Sequence, residues 1–92
     1  MHEHQARYII GLDIGSTTVK AVVLDLTTET ILWRDYQRHE TKQPEKTLEF
    51  LRRIEAAVPV NKHNTRLFIT GSGGGVLADF VGAKFVQEVT AV

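Results

Sequence analysis

The sequence predicts an α/β domain built on a mixed β-sheet, and three observations carry that reading. Short runs rich in β-branched and aromatic residues recur at positions 7–13, 19–26, 31–39, 67–70 and 85–89. Residues 44–58 instead repeat their apolar side chains at helical spacing. That helix lies between the third and fourth runs, which makes the connection a crossover of the kind that joins parallel strands.

Each element has its own justification. Residues 7–13 read Arg-Tyr-Ile-Ile-Gly-Leu-Asp, the short apolar run of a buried strand. Gly15, Ser16, Thr17 and Thr18 break it with turn formers. Residues 19–26 give a second strand holding Val19, Ala21, Val22, Val23, Leu24 and Leu26. The polar residues 27–30 form a connection of hairpin length. Residues 31–39 alternate loosely and read as a third strand at an edge, completing an antiparallel meander. Pro44 suits the first position of the helix, where its missing N–H is no loss, and Glu45 complements the helix dipole. Leu48, Leu51, Ile54 and Val58 supply the apolar stripe, with Phe50 beside them. Glu49 and Arg53 sit four apart and can pair on the wet face. Pro59 ends the helix. Residues 61–65 are a polar loop, 67–70 a fourth strand, 76–81 a short apolar helix or turn closed by Gly82, and 85–89 a fifth strand. The order is β-β-β-α-β-α-β.

Composition narrows the function. The chain has 92 residues with 11 basic and 11 acidic side chains, so a general nucleic-acid binder, which carries a basic excess, is disfavoured. With no cysteine, the chain itself holds no disulfide, thiolate zinc site, cysteine-ligated cluster or cysteine nucleophile. No apolar run reaches the roughly 20 residues of a membrane span, and Met1-His2-Glu3-His4-Gln5 is no secretory signal; the expectation is a cytoplasmic protein. The chain closes on the apolar run Val89-Thr90-Ala91-Val92, which reads as the amino-terminal piece of something larger. Such a piece exposes a sheet edge and apolar surface, so self-association, most simply a homodimer, is expected.

The densest chemical signal is Gly11-Leu12-Asp13-Ile14-Gly15-Ser16-Thr17-Thr18-Val19-Lys20. It lies between two strands, whereas Rossmann and Walker-type loops run from a strand into a helix. A tight hairpin can still hold phosphate. Gly15 allows positive φ and close approach, successive N–H groups of Gly15 to Thr18 form a nest for anionic oxygens, and the hydroxyls of Ser16, Thr17 and Thr18 add donors. Asp13 beside such a nest implies an intervening Mg²⁺, bound through water, and Lys20 adds a positive charge if alternation brings it to the same face. An ordinary hairpin capped by Asp13 with exposed hydroxyls is the alternative.

A second glycine run, Thr70-Gly71-Ser72-Gly73-Gly74-Gly75, also follows a strand. If the first and fourth strands are neighbours, both loops open at the same edge, where open α/β sheets bind ligands. A plain flexible connection is the alternative. His2, His4, His39 and His63 are scattered without metal-ligand pairing, Trp33 reads as strand packing, and Arg52-Arg53 as a solvated helix face. For Glu88, spacing gives no preference between the cleft and the surface.

The stretch from Gly11 to Val22 resembles the first phosphate motif of the actin, heat-shock ATPase and sugar kinase superfamily. Within it, Ile69-Thr70-Gly71-Ser72-Gly73-Gly74 followed by Phe85-Val86-Gln87-Glu88-Val89 resembles the activator ATPases of 2-hydroxyacyl-CoA dehydratases and benzoyl-CoA reductases. The resemblance runs from about Tyr8 to the end of the chain. It implies a ribonuclease H-like fold, the first half of an actin-like ATPase domain, with ATP or ADP lying between two such halves. It further implies that Asp13 orients the magnesium shell, that Gly15, Ser16, Thr17 and Thr18 cradle the phosphates with Lys20 nearby, and that Thr70, Gly71, Ser72, Gly73 and Gly74 line the cleft. The family couples ATP hydrolysis to electron transfer from an iron–sulfur cluster, held between two subunits, into a dehydratase or reductase. The cluster cysteines, the second phosphate motif and the adenosine site belong to the part missing here. Alone, this piece is expected to hydrolyse little or no ATP, since phosphoryl transfer needs both sides of the nucleotide. Two other readings stand beside it: the first half of a sugar or pantothenate-type kinase, and a non-enzymatic domain that uses the sheet for protein contacts.

Overall fold

The computed structural model describes residues 6–71 and 88–91. Strands β1 (Tyr8–Ile14), β2 (Thr18–Asp25) and β3 (Thr30–Arg38) are followed by helix α1 (Gln43–Ala57), strand β4 (Thr65–Gly71) and strand β5 (Glu88–Ala91). They form one five-stranded sheet in the order β3-β2-β1-β4-β5. β1, β2 and β3 pair antiparallel, whereas β4 pairs parallel to β1 and β5 parallel to β4. This is the expected mixed sheet, with α1 as the crossover between β3 and β4. The expected helix at 76–81 and its Gly82 cap lie outside the described residues, as do Phe85, Val86 and Gln87; β5 runs on to Ala91.

Alternation explains the layering. Tyr8, Ile10, Leu12 and Ile14 of β1, Val19, Ala21 and Val23 of β2, and Leu67 and Ile69 of β4 are buried, and they share one face. Helix α1 covers that face with Phe50, Leu51 and Ile54, and Val58 follows at its end. The helical stripe differs from the expected one: Phe50 and Thr47 are buried, whereas Leu48 is only half-buried. Trp33 of β3 meets the Phe50 ring edge-on, with centroids 5.9 Å apart and an interplanar angle of 82°. Pro44 occupies the second helical position, one later than expected, because Gln43 begins the helix. Val58, just before Pro59, is extended, the conformation a following proline favours.

Arg52 and Arg53 are both exposed, as expected of a solvated helix face, and Arg53 also ties the helix to the sheet. Its guanidinium reaches down from α1 to the Asp35 carboxylate of β3, lies 5.1 Å from the Trp33 ring centre, and touches Glu49 only at 4.0 Å. At the opposite end of the β1–β2 pair, Arg7 binds Asp25 at 3.2 Å, and Asp25 also accepts the main-chain N–H groups of Thr27 and Thr28. The hydrogen bond from Arg7 holds the Asp25 carboxyl below the usual carboxylate range, and Arg53 does the same for Asp35. Among the described residues no helix is long and apolar enough to cross a membrane.

Candidate functional site

The site lies at the carboxyl end of β1. Ile14 pairs with Val19, and the chain reverses through Ser16 and Thr17, with Gly15 N–H donating to the Thr18 carbonyl at 2.8 Å. Two details differ from the sequence reading. Gly15 does not have positive φ, and a β-carbon there would meet Thr18 Oγ1 at 3.3 Å, a tight contact with a side-chain atom. Its N–H is spent on the hairpin, so the donors left to the turn come from Ser16 onward, with the hydroxyls of Ser16 and Thr17 on exposed residues.

Parallel pairing places β4 directly against β1, with Asp13 opposite Thr70 and Ile14 opposite Gly71. The two glycine-bearing loops therefore leave the sheet side by side, at the edge where open α/β sheets take ligands. Gly71 is the last residue of β4 and has φ of 107°, a conformation that favours glycine. Ser72, Gly73, Gly74 and Gly75 lie outside the described residues.

Asp13 and Lys20 face each other across β1 and β2, both exposed, on the side of the sheet away from α1. With Thr70, Gly11, Val22 and Phe68 they line an open cleft of about 360 Å³. Lys20 thus reaches the Asp13 face, but its ammonium stands 6.0 Å from the centre of the Tyr36 ring on β3. Asp13 is a lone carboxylate on this wall, and the described residues hold no cluster of three or more metal-ligating side chains. One exposed carboxylate with a nearby threonine hydroxyl suits a magnesium ion held through its water shell, which magnesium sheds reluctantly. An iron–sulfur cluster does not fit these residues, since the chain has no cysteine to ligate one.

Sequence reasoning missed His39. It is buried, its main-chain N–H donates to the Thr17 carbonyl at 3.0 Å, and its Nε2 donates to the Gly15 carbonyl at 2.9 Å. Gln43 Nε2 donates to the same carbonyl at 3.0 Å. The signal was present in the meander: once Thr18 pairs with Arg38, residue 39 must lie beside Thr17. A motif search passes over it because the contact is set by topology rather than by spacing along the chain.

The chain matches no protein-family model, and no curated protein matches it in sequence. Solved structures do match in fold. Component A of (R)-2-hydroxyglutaryl-CoA dehydratase from Acidaminococcus fermentans superposes with a TM-score of 0.64 at 20% identity, covering 94% of this chain and 31% of that one. The activator of 2-hydroxyisocaproyl-CoA dehydratase from Clostridium difficile, solved with bound ADPNP, gives 0.55 at 23% identity, covering 91% and 29%. The Ppx/GppA family member from Aquifex aeolicus gives 0.51 at 14% identity, covering 91% and 35%. The chain therefore spans about a third of the length of these proteins and shares with part of each an actin-like, ribonuclease H-like fold.

Proposed function

We propose that this chain is the phosphate-binding amino-terminal part of an ATPase that activates a 2-hydroxyacyl-CoA dehydratase or a related reductase. The observation that carries the reading is the juxtaposition of two loops. The Gly15–Thr18 turn leaves β1 next to the Gly71 end of β4, with Asp13, Lys20 and Thr70 on the cleft wall between them. Similarity of fold to two dehydratase activators, one of them with bound ADPNP, supports the nucleotide and the partner class.

In this reading the residues divide the work by chemistry. The amide and hydroxyl donors of Ser16, Thr17 and Thr18 bind phosphate oxygens, as N–H nests do. Lys20 lowers the electrostatic cost of a polyanion on this face. Asp13, with Thr70 opposite, would hold the water shell of a magnesium ion, and the ion when bound supplies charge neutralisation between the carboxylate and the phosphates. Thr70 and Gly71, with Ser72, Gly73 and Gly74 beyond, line the same side of the nucleotide. Hydrolysis, the cluster and the electron-transfer step belong to the rest of the proposed parent. The 92-residue chain alone binds nucleotide weakly and turns over little or none.

Amide NMR titration with Mg·ADP tests this. Shifts centred on Ser16, Thr17, Thr18 and Gly71, abolished in Asp13→Ala or by removing magnesium with a chelator, are the expected result. No shift of the turn amides at millimolar Mg·ADP would overturn phosphate binding by this chain.

A further inference from the structure

We propose that His39 and Gln43 are positioning residues for the phosphate turn: they hold the Gly15 carbonyl on the α1 side of the sheet and so aim the Ser16 amide at the cleft. This inference rests on the phosphate reading above and deepens it.

The argument starts from the hairpin. Hydrogen-bonded partners in an antiparallel pair exchange both N–H···O bonds. Here Gly15 gives its N–H to Thr18, but its carbonyl is taken by His39 Nε2 and Gln43 Nε2, which fill both of its lone pairs. His39 N–H takes the Thr17 carbonyl as well. Two carbonyls of the turn are thus held by one segment, residues 39–43. Peptide groups are planar and trans, so the N–H that follows a carbonyl points the opposite way. Gln43 belongs to α1, on the opposite face of the sheet from Asp13, Lys20 and Thr70. Holding the Gly15 carbonyl toward that side turns the Ser16 N–H toward the cleft.

The segment is built for this at a cost. Glu40 and Thr41 both have left-handed backbone, with φ of 53° and 64°, a conformation unfavourable for any residue but glycine and most of all for a β-branched one. That turn, closed by Lys42 N–H on the His39 carbonyl at 2.8 Å, is what brings His39 and Gln43 to one acceptor. The imidazole carries a second cost. Because its partner is a carbonyl, Nε2 holds the proton, and Nδ1 is left buried without a partner. An apolar side chain of similar size would fill the space and leave no polar atom stranded. What it would not supply is the Nε2–H. Gln43 likewise spends its amide on Gly15, and the amino end of α1 has no side-chain cap.

The test uses the intact ¹⁵N-labelled chain and Mg·ADP. His39→Ala and Gln43→Ala are each expected to weaken binding about fivefold, the worth of one ordinary hydrogen bond. His39→Gln, which restores an amide donor, is expected to recover most of that loss. In the ligand-free variants the Ser16 amide resonance moves more than those of the distant β1–β2 residues, and the wild-type imidazole nitrogens report the Nε2–H tautomer. If His39→Ala does not fold, Gln43→Ala carries the measurement, since that side chain is only half-buried. Alanine variants that fold and bind Mg·ADP as tightly as the wild type overturn the positioning role alone, as does an Nδ1–H tautomer at His39. A wild-type chain whose turn amides ignore millimolar Mg·ADP overturns the phosphate reading, and the positioning role with it.

Discussion

Gly71 lies so close to Ile14 that a β-carbon on it would overlap the Ile14 carbonyl. The last residue of β4 is thereby packed onto the last residue of β1, immediately before the turn.

Gly71→Ala is expected to destabilise the chain by more than about 1 kcal/mol, through both the backbone overlap and the left-handed φ. Gly11→Ala is the contrast. There a β-carbon meets only Val22 Cγ1 at 3.3 Å, and a loss well below that of Gly71→Ala is expected. Urea midpoints of the two variants measure the difference, and equal midpoints would contradict it.

Phe50→Ala should cost about 3–5 kcal/mol, since the ring is fully buried and its removal leaves a cavity. Trp33 is the only tryptophan and packs edge-on against that ring, so its fluorescence should report the change directly. An unaltered emission spectrum in folded Phe50→Ala would count against the packing described.

The Arg7–Asp25 pair should be one source of acid sensitivity, beside the Arg53–Asp35 pair. The folded-state pKa of Asp25 is lowered, so its contribution is fully present above the unfolded carboxylate value and is lost as pH falls through the lower folded value. Asp25→Asn is therefore expected to flatten the loss of stability below about pH 4. Denaturation curves across pH 2–6 check this, and a variant with an unchanged acid limb would refute it.

Thr41→Gly should raise stability. Relief of a left-handed β-branched residue, worth about 1–2 kcal/mol, exceeds the roughly 0.5–1 kcal/mol of added chain entropy. A urea midpoint below that of the wild type would show that the Thr41 side chain does more than tolerate its backbone.

The meander and the crossover helix were legible because alternation and helical periodicity reflect burial on one sheet face, whereas the neighbouring of β1 and β4 stood only as a condition, since periodicity does not set strand order. The loose pattern of the third run has a local cause. The pairing of β2 with β3 shifts between Val23 and Leu24, so Trp33 pairs with Val23 and Ile31 with Leu24, and Leu32 is left over. Ile31 and Leu32 are exposed, which no alternation rule anticipates. At the site, Asp13, Lys20 and Thr70 were legible as types and positions. The link from His39 to Gly15 was not, since it joins residues 24 apart through a register that only the assembled sheet supplies.

The uncapped start of α1 has a dynamic consequence. First turns of helices fray at far lower free energy than whole domains unfold. Here the residue that frays first, Gln43, is also one of the two donors on the Gly15 carbonyl. Opening a single helical turn would therefore loosen the hairpin while the sheet stays intact, and a partner that seals the start of α1 would tighten it without touching the cleft.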